Sequence, residues 1–157
     1  MKRVYRAALI SAALLLAVTL TACGSATHIG DANGAENSLC VLTEKELTDK
    51  HPNSLSNMSV LNEKDGVTEF SVRKFSGVKS IYSFRAKADR SYTLEVTSEL
   101  EEGNLRLFVW CGGEILQEIA VGGAQTVTVN GANGRCELRA AGESANFSMS
   151  IVCEENN

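Results

Sequence analysis

From Val67 to the C terminus, apolar and polar side chains alternate with a period of two, in short runs separated by Gly, Asn, Asp and Ser. Successive side chains of a strand point to opposite faces, so this alternation marks half-buried antiparallel strands. The runs predict about eight strands, near residues 68–75, 80–87, 91–98, 104–111, 114–121, 125–130, 135–140 and 147–153. Leu105, Leu107, Val109 and Cys111 share one face of their strand, and Phe147, Met149, Ile151 and Cys153 share an inward face of the last. The connections Cys111-Gly112-Gly113, Gly122-Gly123 and Asn130-Gly131-Ala132-Asn133-Gly134 are hairpin chemistry, because Gly and Asn tolerate positive φ. With one proline and no βαβ spacing, the pattern predicts an all-β fold, a jelly-roll-like antiparallel β-sandwich over residues 67–157.

Upstream the pattern changes. Thr43-Glu44-Lys45-Glu46 is a capping box, in which the Thr hydroxyl and the Glu46 carboxylate satisfy free amides at a helix start, and Leu42 with Leu47 supplies the staple. A short helix is expected, ended by Pro52, with His51 in its last turn beside the negative end of the helix dipole. Residues 39–66 are expected to hold this helix and a segment that packs on the sandwich. Residues 24–38 have almost no apolar side chain to bury, and read, with Cys23, as a flexible tether over 23–38 in which His28 is solvated.

The N terminus carries the most specific signal. Lys2, Arg3 and Arg6 precede an apolar run over residues 7–20 that is too short for a finished membrane span, and small residues follow it. The tetrad Leu20-Thr21-Ala22-Cys23 resembles the lipobox of bacterial lipoproteins. The resemblance implies a signal peptide over residues 1–22, cleavage before Cys23 and a diacylglyceryl group on its thiol. Each buried methylene contributes about 0.8 kcal/mol, so two acyl chains hold where one would exchange. The expected location is the outer face of the bacterial cytoplasmic membrane, with the membrane itself as first partner.

Cleavage changes the charge. The chain has 157 residues with 15 basic and 19 acidic side chains; the leader takes three of the basic ones, leaving 12 against 19, a formal charge of about −7. Nonspecific nucleic-acid binding draws on clustered Lys and Arg, so a nucleic-acid partner is not expected. The remaining 135 residues suffice for one domain with a real core.

Cysteine is the second clue. Beyond Cys23 stand Cys40, Cys111, Cys136 and Cys153. Successive hairpins bring Cys111, Cys136 and Cys153 to one end of the sandwich, pointing inward, and Cys40 leads into the domain near that end. Export favours one or two disulfides, with three full pairings open, while buried free thiols are the alternative. A four-cysteine metal site is disfavoured because no C-x₂₋₄-C pair exists, and neither metal nor cofactor is expected.

Catalytic machinery is not evident: there is no Gly-x-Ser-x-Gly elbow, His-Glu-x-x-His, phosphate loop or acidic calcium loop, and only two histidines. Glu99, Glu101 and Glu102 read as a solvated loop before Gly103. The candidate functional residues are Arg106, Phe108 and Trp110, which alternate with core-facing Leu105, Leu107 and Val109, so that this strand is apolar or aromatic on both faces. Either the N-terminal helix or the Leu55 to Leu61 segment covers that side, or Trp110 with Arg106, Phe108 and Tyr82 forms a ligand face for sugar stacking or a protein anchor. A nonenzymatic binding or scaffold module is therefore expected, with a carbohydrate-binding surface module for glycan or wall polymer as the alternative.

Strand cadence adds a resemblance. Ser91-Tyr92-Thr93-Leu94-Glu95-Val96, Gly103-Asn104-Leu105-Arg106-Leu107-Phe108-Val109, Gly134-Arg135-Cys136-Glu137-Leu138-Arg139 and Asn146-Phe147-Ser148-Met149-Ser150-Ile151 together resemble small bacterial β-sandwiches of the pre-peptidase C-terminal type. They are also similar to uncharacterised lipoproteins of Gram-positive bacteria. Cys136 departs from that pattern, standing where such sandwiches often place an aromatic residue. The resemblance implies an accessory or binding module and names no ligand.

Overall fold

Three strands carry the architecture, and their lengths require that they bend. The computed structural model describes residues 42–156. In chain order these form a short helix α1 (Glu44–Thr48) and strands β1 (Ser54–Leu55), β2 (Met58–Lys64), β3 (Val67–Ala86), β4 (Ser91–Cys111), β5 (Glu114–Ile119), β6 (Gly123–Asn130) and β7 (Gly134–Asn156). β3, β4 and β7 hold 20, 21 and 23 residues. An extended strand of that length would reach about 66 Å at about 3.3 Å per residue, far beyond a compact domain of this size, whose radius of gyration is about 13 Å.

All pairings are antiparallel, in the order β1-β3-β7-β4-β5, with β2 added to β3 and β6 to β4. The sheet folds over on itself into two leaves joined by continuous strands. One leaf holds the first half of β3, the second half of β7, the first half of β4, and β2 and β6; the other holds the remaining halves with β1 and β5. The bend is marked by register shifts between Val72 and Gly77 and between Leu100 and Asn104. Lys74, Gly77, Gly103 and Ser144 take positive φ there. Gly103 is required twice over, by φ +83° and because a Cβ would lie 2.5 Å from the Ser144 carbonyl oxygen.

The eight predicted strand segments are therefore present, but six of them are joined in pairs within the three long strands. Glu99, Glu101 and Glu102, expected in a loop, lie within β4 at the bend. Glu102 has a structural use: its Oε2 accepts from Lys74 Nζ at 2.9 Å and from Asn146 Nδ2 at 2.8 Å, while Asn146 Oδ1 accepts from the Lys74 amide at 2.8 Å. One carboxylate thus ties the corners of all three long strands.

Between the leaves lies the main core, built from Phe70, Val72, Phe75, Leu94, Val96, Leu107, Val109, Leu138, Phe147 and Ile151 among others. The Leu105, Leu107, Val109, Cys111 face and the Phe147, Met149, Ile151, Cys153 face both turn into it. Phe84 on one leaf meets Tyr92 on the other with ring centroids 5.2 Å apart, closing the end away from the bend.

The segment upstream of Val67 departs from expectation. Residues 55–61 do not cover the Trp110 side; they contribute the end of β1 and most of β2, which extend the sheet edge along β3. Asp65-Gly66, both at positive φ, makes the two-residue turn into β3. Every residue of β2 is exposed, and Met58, Val60 and Leu61 each keep more than half of their surface accessible. α1 also ends earlier than expected, with Asp49 at its C-cap, so His51 lies beyond the helix and not in its last turn. No helix among the described residues is long and apolar enough to cross a membrane.

Candidate functional site

The outer side of the second leaf is where chemistry collects. Phe108 and Trp110 project from β4, Glu137, Arg139 and Ala141 from β7, and Val78 from β3, because the inward positions between them are taken by core residues. Cross-strand register sets Trp110 opposite Glu137 and Ile115, and Phe108 opposite Arg139. α1 closes over this face. Its capping box forms as the sequence requires, with the Glu46 carboxylate accepting the Thr43 amide at 2.8 Å and the Thr43 hydroxyl at 2.7 Å. Those bonds hold the Glu46 carboxyl below its usual value, the backbone bond contributing most. The helix then seats Leu47, 2 % exposed, against Val78, Phe108, Trp110 and Ala141, with Leu42 beside it.

At the centre is Arg139, fully buried. Burying a guanidinium is costly unless charge and donors are matched, and here most are. Its Nε donates to Glu137 Oε2 at 2.7 Å, and Nη1 donates to the carbonyls of Leu47 at 3.0 Å and Asp49 at 2.7 Å. These carbonyls are the free acceptors that a helix end leaves, so Arg139 caps α1 and binds it to the sheet. The guanidinium carbon lies 3.9 Å from the Trp110 ring centroid, a cation–π contact in a dry setting. Glu137 is shared, since Arg135 Nε reaches its Oε1 at 2.8 Å. Two donors are left over: Arg139 Nη2 and Trp110 Nε1 are buried without a hydrogen-bond partner among the described residues.

The sequence-chosen residues divide among several places. Phe108 is fully buried and Trp110 is 6 % exposed beneath α1. Arg106 shares their side but pairs with Glu118 at its partly exposed margin. Tyr82 does not join them; it packs against the main core, stacks near Phe84 and lies beside the Cys153 thiol. A bulge between Ser80 and Tyr82 is what turns Tyr82 inward.

Cys111 and Cys136 face each other directly across β4 and β7 with Cα atoms 4.2 Å apart and are joined by a disulfide. Cys153 is half-buried on the opposite leaf and unbonded to either. Burial raises its thiol pKa, the Tyr82 hydroxyl opposes this by hydrogen bonding, and Glu154 adds to the rise. Tyr82 is itself raised, first by burial and then by the thiol. Cys23, His28 and Cys40 lie outside the described residues, as do the leader and the tether. No group of three or more His, Cys, Asp or Glu side chains among the described residues is placed to hold a metal.

Arg139 and Glu137 were not singled out from the sequence, because Arg135, Glu137 and Arg139 alternate with Cys136, Leu138 and Ala140 as a solvated face would. The signal that could have found them is the double-sided apolar character of the neighbouring strand at Phe108 and Trp110, which requires a cover whose helix end needs a donor.

A recess of about 350 Å³ beside α1 is lined by Leu42, Asp49, His51, Pro52 and Val78 among others. A shallow groove of about 600 Å³ crosses the first leaf between Val60, Glu69, Thr97, Glu99 and Ser148. Compared with known proteins, the chain matches no family model and no curated protein.

Proposed function

We propose that the protein is a lipid-anchored lipoprotein of the outer face of the bacterial cytoplasmic membrane, whose β domain is a nonenzymatic binding or scaffold module of the cell envelope. The observation that carries this reading is the run Leu20-Thr21-Ala22-Cys23 behind a basic, apolar leader. A disulfide between Cys111 and Cys136 supports it, because such bonds persist in oxidising compartments outside the cytoplasm. So does the acidic mature chain, which suits neither nucleic acid nor anionic headgroups and leaves the acyl chains as the natural membrane contact.

The binding or scaffold reading is preferred to a carbohydrate-binding one. Sugar stacking needs an accessible ring, and Trp110 lies beneath α1. The test is fractionation of cells grown with labelled palmitate: the wild-type chain is expected in membranes carrying label, and Cys23→Ala unlabelled, with its precursor unprocessed or its product released. Equal labelling and membrane retention of the two forms would remove the reading.

A further inference from the structure

We propose that the sheet face beneath residues 42–49 is a peptide-binding site for a C-terminal carboxylate borne by a leucine-type residue, and that α1 is a built-in strap that occupies it until such a peptide displaces it. The proposal deepens the binding-module reading and rests on it, while being independent of the lipid anchor.

The strap already shows how a peptide sits. Leu47 fills the hydrophobic floor of Val78, Phe108, Trp110 and Ala141, and its backbone carbonyl takes Arg139 Nη1 at 3.0 Å. A peptide ending at that leucine would present a charged pair of oxygens in place of the neutral Leu47 and Asp49 carbonyls, both of which Nη1 now holds. The second oxygen meets the need of Nη2, which is buried and unpartnered among the described residues. Arginine and carboxylate match as a bidentate pair, shorter and stronger than a single bond to a neutral carbonyl. Charge agrees: Arg135 and Arg139 share the one carboxylate of Glu137, so the cluster carries a net positive charge and is complemented by an anion. The strap is one short helix held by Leu47, Leu42 and two carbonyl bonds, which makes it the displaceable part.

The test uses the full chain in detergent with two synthetic peptides of the strap's own sequence, Leu-Thr-Glu-Lys-Glu-Leu, one with a free C-terminal carboxylate and one amidated. Trp110 is the only tryptophan of the chain, so its emission reports the site directly. The free acid is expected to change Trp110 emission in a saturable way with far-UV circular dichroism unaltered, and to bind roughly five-fold tighter than the amide. Thr43→Ala, which removes the exposed capping box and loosens the strap, is expected to raise apparent affinity by about five-fold. Equal binding of acid and amide, or no saturable response in either wild type or Thr43→Ala, would overturn the proposal. Neither result bears on lipidation of Cys23, which is read separately by palmitate labelling.

Discussion

Replacing Leu47 by alanine asks whether α1 is held to the sheet as the structure implies. The side chain is 2 % exposed against Val78, Phe108, Trp110 and Ala141. Truncation removes three carbons, a transfer loss of about 2 kcal/mol at about 0.8 kcal/mol per group. Because a five-residue helix on the surface can settle into the space, little cavity cost is added, which places the change at the low end of the usual Leu→Ala range of about 2–5 kcal/mol. For a domain of this size that corresponds to a fall in Tm of roughly 8 °C. The assay is thermal melting followed by circular dichroism, run beside Trp110 fluorescence at 20 °C. The expected result is a lower Tm together with a red-shifted emission in the still-folded protein, since the loosened strap admits water to the indole. An unchanged Tm and unchanged emission would refute the claim that Leu47 seats the strap on Trp110.

Three further outcomes follow from the same geometry. Reducing the Cys111–Cys136 bridge, which closes a 25-residue separation, is expected to cost about 3–4 kcal/mol in denaturant unfolding, and a difference near zero would show that the bond adds nothing to the fold. Cys153, with its pKa raised chiefly by burial, is expected to alkylate slowly at pH 7 in native protein and faster as pH climbs through the raised value; its share of stability is present below the unfolded thiol's pKa and lost above the folded one, so a native rate equal to that of denatured protein at pH 7 would contradict the burial. Gly103→Ala is expected to destabilise by more than about 1 kcal/mol, because positive φ and the Ser144 carbonyl both oppose a Cβ, and a neutral effect would mean that the bend of β4 is not fixed there.

Much of the β architecture was legible because burial alternates. The inward set Phe147 to Cys153 follows from period two alone, the set Leu105 to Cys111 follows from it although Phe108 and Trp110 are buried on the other side, and the hairpin at Gly112-Gly113 follows from residues that accept positive φ. The joining of strands was not legible. Nothing local distinguishes a bend within a strand, as at Gly103 or Lys74, from a loop between two strands; the difference lies in Glu102 and Asn146, which are distant in sequence and meet only at the corner. β2 was missed for another reason. Its side chains are exposed on both sides, so it shows no alternation, and the Asp65-Gly66 turn was the one local sign of its pairing with β3. At the candidate site the sequence pointed to Trp110 and to the N-terminal helix as one of two covers for it, and α1 is the one that lies there; the contacts that fix it were not legible. The cover depends on Leu47 and Arg139, 92 residues apart, and their contact is a property of the folded sheet.

Lipidation at Cys23 is read directly from the mass of the mature N terminus isolated from native membranes. The mature chain is expected to begin at Cys23 and to carry the added mass of a thioether-linked diacylglyceryl group. An unmodified N terminus at Gly24 or beyond, or an intact leader on the mature protein, would contradict it.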